Sequence, residues 1–220
     1  MSLSGEEPMA AMSLSGDPRT SRARAAFTVV VGLALVGVLV GALWAWIAPP
    51  IHGVVVLTRA GERVHAYLGS EADHFFVAAF MMLGLLTVVA VVAPVLVWLW
   101  RQHRGPAMAA ALSVGAVAAT ALAATLGAAL VHQRYGVVDV AGAPVSPQDR
   151  VYYFTEAPPV FFGHAPLQVA STLLLPAAIA ALVYALLAVS TSRDDLGAWP
   201  AIEAPTWPPP TATPSASPTS

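Results

Sequence analysis

Histidine and carboxylate are the side chains here whose types and positions could do chemistry. His52, His65, His74, His132 and His164 fall at or beyond one set of ends of long apolar runs, with Glu71, Asp73, Asp139 and Glu156 among them; His103 alone falls at the other set. Imidazole and carboxylate together ligate divalent metals, and imidazole changes charge between about pH 5 and 8. If the two loops carrying these residues meet, Asp73, His74, Glu156 and His164 would form a polar cluster able to bind a metal or sense protons. They lack a tight ligand spacing such as H-x-x-x-H, and the blander alternative is interfacial histidines that hydrogen-bond at a lip. The pattern therefore assigns no catalytic, metal-ligating or cofactor-binding residue and calls for no cofactor. Arg63 and Arg150 could bind an anionic lipid or glycan group, or pair with Glu62, Asp149 and other nearby acids. Phe75, Phe76, Phe161 and Phe162 would line an apolar cleft where the loops meet the runs.

Other chemistries are excluded by what is missing. There is no cysteine, hence no disulfide, thiolate nucleophile or cysteine-ligated metal. No nucleotide-binding loop, zinc-protease helix or nucleophile elbow occurs, so the reading is non-enzymatic. A net charge of −2 provides no basic footprint for nucleic acid.

The elements that must position these residues are membrane helices. With 57% hydrophobic and 10% charged residues and a mean hydropathy of +0.71, the chain is far from soluble composition. Four apolar runs, 25–48, 75–100, 107–131 and 166–191, reach the roughly 20 residues that a bilayer core about 30 Å thick requires. None contains Asp, Glu, Arg or Lys, which argues against an ion-coupled carrier. Thr28, Thr87, Ser113, Thr120, Thr125, Gln168, Ser171, Thr172 and Tyr184 are the polar residues available to join helix to helix. The third run is mostly alanine and should pack inside the bundle, and Gly37-x-x-x-Gly41 in the first permits close helix approach. Pro94 and Pro176 could kink the second and fourth runs.

Arg19, Arg22 and Arg24 before the first run, Arg101 and Arg104 in the turn "RQHRGP" and Arg193 after the fourth predict both termini cytoplasmic. Trp44 and Trp46 would then mark the outer interface, and Trp98 and Trp100 the inner one. A cleaved signal peptide competes for the first run, but the run exceeds the roughly 7 to 15 apolar residues of such a segment. Residues 1–24 and the Pro-rich 194–220 read as disordered cytoplasmic tails. "MSLSG" occurs twice near the start, so either Met1 or Met12 could begin the chain.

The two outer loops repeat one another. Gly53-Val54-Val55 matches Gly136-Val137-Val138, Arg63-Val64 matches Arg150-Val151, Glu71-Ala72 matches Glu156-Ala157, and Phe75-Phe76 matches Phe161-Phe162, in the same order and at near-constant separation. Each loop reads as a β-hairpin: "GVVVLT" and "RVHAYL" around "RAGE", then "YGVVDV" and "RVYYF" around a longer turn with Pro144 and Pro147. The expected fold is a membrane all-α bundle of four transmembrane helices with a small extracytoplasmic antiparallel β cap, built as two tandem helix-hairpin-helix repeats at 25–105 and 106–193. A lone hairpin is marginal in water, so the two should join as one sheet; two independent loops are the alternative.

The stretches "WAWIAPPIHGVVVLTRAGERVHAYLGSEADHFF", "RYGVVDV", "YYFTEAPPVFFGHAPLQVA" and "LLLPAA" resemble an uncharacterised family of actinobacterial, mainly mycobacterial, membrane proteins classed as a domain of unknown function. That resemblance implies a bacterial plasma-membrane location and brings no functional residue with it. Residue chemistry and small-residue helix surface together suggest a non-catalytic accessory or scaffold subunit of a cell-envelope, transport or respiratory complex, with the lipid bilayer and a membrane-protein partner or second copy as its contacts. The alternative is an outward-facing binding or transport module for a lipid or small molecule. Action as an enzyme on an envelope lipid would need the outer acids and histidines to converge.

Overall fold

The computed structural model describes residues 21–163 and 165–191; the readings made on both tails and on His164 lie outside them. The elements run α1 (Arg22–Ile47), β1 (Ile51–Leu57), β2 (Arg63–Tyr67), a 3-10 turn Glu71–Asp73, α2 (His74–Trp98), a second 3-10 turn Arg101–His103, α3 (Pro106–Tyr135), β3 (Val151–Glu156) and α4 (Pro166–Val189). At 24 to 30 residues, each helix is about 36 to 45 Å long, and all four are long and apolar enough to cross a membrane. Phe27, Leu35, Leu39, Phe80, Leu96 and Leu182 face outward from the bundle, a surface that suits lipid and not water.

Local signals set the helix ends. The Ser21 side chain accepts from Arg24 N at 3.3 Å to open α1, and Pro49-Pro50 ends it. Pro106 opens α3 at a position whose N–H has no helical partner, and Gly136, at φ +75°, closes it. α2 and α4 run through Pro94 and Pro176 as continuous helices, with both rings buried. Pro94 lies near the last turn of α2 and Pro176 near the middle of α4, so the two are not matched in depth.

The most extensive helix interface joins α1 to α3. Gly37 and Gly41 lie on Ala119 and Ala123, Leu33 on Gly115 and Trp44 on Gly127, an order that makes the two helices parallel. A Cβ on Gly41 would stand 2.6 Å from the Ala123 carbonyl oxygen, and one on Gly37 would overlap Ala119, so backbone approach is what these glycines permit. The small-xxx-small motif is thus used within the chain.

Trp44 departs from its expected interfacial place. It is completely buried, packed against Gly127 and Met82, and its indole N–H donates to the Ala78 carbonyl oxygen at 2.8 Å, linking α1 to α2. Trp46, two residues on, is 76% exposed. A helix turns roughly 200° in two residues, so the two rings cannot share a face. The span hydroxyls also depart from expectation. Thr28, Ser113, Thr120, Thr125 and Thr172 donate to carbonyls three or four residues back on their own helices. Tyr184 does join elements: its hydroxyl accepts from Gly105 N at 3.0 Å, and its ring stands edge-on to Trp98.

At the opposite end of the bundle, three antiparallel strands in the order β2-β1-β3 form a cap. In register, Gly53 lies between Tyr67 and Phe154, and Val55 between His65 and Tyr152. The Phe154 ring lies over Gly53, where a Cβ would collide with it. Gly61, at φ +86°, makes the tight β1–β2 turn.

The second loop does not fold as the expected hairpin. Val151–Glu156 becomes a strand, while residues 136–150 stay irregular, giving three strands and not four. The reason is chemical as well as topological. Pro144 and Pro147 remove ladder donors, Asp139 turns its carboxylate to Ala141 N at 3.0 Å, and Ser146 N bonds Asp149 O. β3 then pairs with the free edge of β1. Val138, Val140 and Val145 cover Val55 and Phe154 instead of extending the sheet.

Candidate functional site

The hairpin register decides which chemical groups meet. With Gly53 opposite Tyr67, the chain leaving β2 passes His52, as Leu68 N bonding His52 O at 3.1 Å records, and Glu71 arrives three residues later. Glu71 Oε2 accepts from the His52 backbone N–H at 3.0 Å and from His52 Nδ1 at 2.9 Å. His74 Nδ1 stands 3.1 Å from the same oxygen and 2.9 Å from the Pro50 carbonyl. A carbonyl and a carboxylate only accept, so both imidazoles carry their proton on Nδ1. This knot ties β1 and the end of α1 to the start of α2.

Of the residues expected to converge, the three described ones, Asp73, His74 and Glu156, do not meet as one group. His74 belongs to the Glu71 knot, Asp73 precedes α2 without a side-chain capping bond, and Glu156 sits at the end of β3 and accepts from the Tyr67 hydroxyl at 3.3 Å. Among the described residues no group of three or more His, Asp or Glu side chains could hold a metal. Burial, then the Glu156 charge and the hydrogen bond to it, push the Tyr67 hydroxyl above its usual pKa. Arg63 and Arg150 flank Leu57 at the far end of the sheet. Arg63 is its register partner, Arg150 O accepts its N–H at 2.8 Å, and Arg150 Nε donates to Pro147 O. Among the described residues neither arginine makes the expected pairing with Glu62 or Asp149.

The four phenylalanines do come together. Phe75 and Phe76 from the first turn of α2, and Phe161 and Phe162 from the segment after β3, line an open cleft of about 680 Å³. Its floor and walls add Ala128 and His132 from α3, Pro158, Pro159 and Val160, and Val169 from α4; Glu156 stands at its edge. Tyr67 connects cap to cleft, its ring edge-on to Phe75 at 5.1 Å and its hydroxyl on Glu156. Phe162 also stands edge-on to Phe80 at 4.8 Å and lines a second hollow of about 320 Å³, which runs between α2 and α4 along Leu83, Leu174 and Leu175. The two hollows share that ring, so aromatic lining continues from under the cap onto the flank of the bundle. A third hollow of about 500 Å³, lined by Arg134, Tyr135, Asp139 and Tyr153, lies beside β3.

The sequence pointed to the phenylalanines and to His74 and Glu156, but not to the His52–Glu71 or Tyr67–Glu156 pairs. The first was legible: a turn centred on Ala60, with Gly61 beside it, pairs residue 52 with residue 68. The second required knowing that β3 joins the β1 edge.

Comparison with known proteins agrees with the resemblance drawn from the loops. The family described as "Protein of unknown function (DUF2567)" matches residues 33–198. "Uncharacterized protein Rv1591" of Mycobacterium tuberculosis H37Rv is 61% identical over 175 residues, 79% of this chain and 91% of that protein. "Uncharacterized protein ML1222" of Mycobacterium leprae is 58% identical over 176 residues, 80% of this chain and 89% of its own. No solved structure matches the chain. With four helices of membrane-crossing length, a three-stranded cap and a family match over most of its length, the chain belongs to the DUF2567 family of proteins of unknown function.

Proposed function

We propose that this protein is a non-catalytic, membrane-embedded binding module that takes the apolar chain of a lipid or lipid-like molecule into the cleft under its cap. One observation carries the reading: phenylalanines from the first turn of α2 and from the segment after β3 line a single open cleft of about 680 Å³, within the roughly 300 to 1,000 Å³ typical of small-molecule sites. Phe76 is 61% exposed there, and the lining continues through Phe162 to the α2–α4 flank, where a molecule in the bilayer could enter sideways. Arg22 and Arg24 at the start of α1 and Arg101 and Arg104 between α2 and α3 share the end away from the cap. By the positive-inside rule we assign the cap to the outer side of the plasma membrane.

The accessory-subunit reading drew on small-residue helix surface. Much of that surface, Gly37, Gly41, Gly115, Ala119, Ala123 and Gly127, is consumed by the α1–α3 interface, which moves the balance toward the cleft. The absence of Asp, Glu, Arg and Lys from the four apolar runs likewise favours binding over ion-coupled transport.

Photolabelling of the full chain in native membranes with a clickable diazirine monoacylglycerol tests the reading. Label is expected on the peptides holding Phe161 and Phe162, and Phe76→Ala with Phe161→Ala should cut it about tenfold. Label spread evenly over the helix flanks, and unchanged in the double variant, would refute it. Recovery of a stoichiometric protein partner in mild detergent would instead restore the accessory reading.

A further inference from the structure

Resting on the lipid-cleft reading, we infer that the cleft selects by headgroup: it takes molecules whose polar end donates hydrogen bonds, a hydroxyl or an ammonium, and rejects phosphate and carboxylate heads. Selection must come from the head. An acyl chain that leaves the bilayer for a phenylalanine-lined cleft exchanges one apolar surround for another and gains little.

The polar side chains at the cleft are acceptors. His132 Nδ1 lies 2.7 Å from the Ala128 carbonyl oxygen, which can only accept, so Nδ1 carries the proton and Nε2 of the neutral ring presents a lone pair. Glu156 is an acceptor with two oxygens, and the Tyr67 hydroxyl at 3.3 Å from Oε2 occupies part of one. The remaining capacity of the carboxylate is open to a ligand. Charged donors for an anion are missing from the described lining: none of these residues is Arg or Lys, and Pro158 and Pro159 take two backbone N–H groups out of the wall, which leaves the backbone N–H groups of Val160, Phe161, Phe162 and Gly163 as its neutral donors. The nearby arginine of α3, Arg134, lines the other hollow, with its guanidinium over the Tyr135 ring at 5.2 Å. An anionic head would therefore meet a like charge at Glu156 without the charge-assisted donors that recognise phosphate. A glycerol hydroxyl or a primary ammonium meets acceptors matched to it.

The test is competition against the photoactivatable fatty-chain probe, using full-length protein in neutral detergent and three amphiphiles that share an oleyl-type chain: mono-oleoylglycerol, oleylamine and oleyl phosphate. The first two should compete at least about tenfold more strongly than the third. Glu156→Gln, close in shape and uncharged, should remove most of the oleylamine advantage and narrow the gap to oleyl phosphate. Should that variant fold poorly, Tyr67→Phe serves: it frees the engaged carboxylate oxygen and should strengthen oleylamine competition. Equal competition by all three heads, or preference for oleyl phosphate, overturns the headgroup inference while leaving the cleft reading standing. Failure of the probe to label the cleft at all overturns both.

Discussion

The α1–α3 pair and the α2–α4 pair use the same lengths of apolar helix to opposite ends. In the first, Gly or Ala recurs every fourth residue along α3 from Gly115 to Gly127, and at Gly37 and Gly41 the backbones close until no side chain fits between them. In the second, alanines meet at Ala90, Ala177 and Ala180, but toward the cap Leu83, Leu174, Leu175 and the Phe80 and Phe162 rings hold a hollow open. Overall hydrophobicity does not separate the pairs, since both are apolar throughout. Residue size at facing positions does: small residues make a dry seam, and large ones leave a hollow.

The largest effect should come from forcing the closed seam apart. Gly37→Leu places a side chain into the backbone of Ala119 and should cost roughly 3 kcal/mol or prevent folding, read as the unfolding midpoint in detergent. Gly32 on the same helix faces open space, and Gly32→Ala should be neutral or stabilising by about 0.5 kcal/mol. Equal damage from both would show that helix flexibility, and not close approach, governs the seam.

A middling effect belongs to Trp44, which joins the closed pair to α2. Trp44→Phe leaves the Ala78 carbonyl without its indole donor and a gap against Gly127, for a loss of about 2 kcal/mol in the same assay.

The smallest effect concerns the cap over the open side, where Tyr67 meets Glu156. The Tyr67 hydroxyl titrates higher in the folded chain than in the unfolded one, so its contribution is whole below the unfolded pKa near 10 and declines as pH rises through the raised folded value. The alkaline fall in stability should therefore be shallower in Tyr67→Phe. An unchanged profile would separate the cap from the cleft.

Particular residues show where pattern reading succeeds and where it stops. Hydropathy placed all four helices within a few residues, and Gly61 announced the β1–β2 turn. "YGVVDV" carries the same β-rich signal as "GVVVLT", yet only the latter is a strand, because the Asp139 turn and Pro144 and Pro147 interrupt the return to β3, and Val138 and Val140 pack onto Val55 and Phe154 instead. Trp44 was misplaced by its position near a helix end, although the two-residue spacing to Trp46 already meant that one ring had to turn inward. The span hydroxyls satisfied themselves on their own helices because a carbonyl one turn back is always in reach.

Composition, run length, and the prolines and glycines at run ends were enough to specify four membrane-length helices and a polar, strand-bearing cap region. In an oil-like medium a backbone must bond to itself locally, and local bonding is written in local residues. The strand order, the Tyr67–Glu156 bond and the gathering of four phenylalanines around one cleft were settled only by long-range packing. They depend on which distant surfaces fit once the helices exist, a competition between shapes that periodicity along the chain does not record.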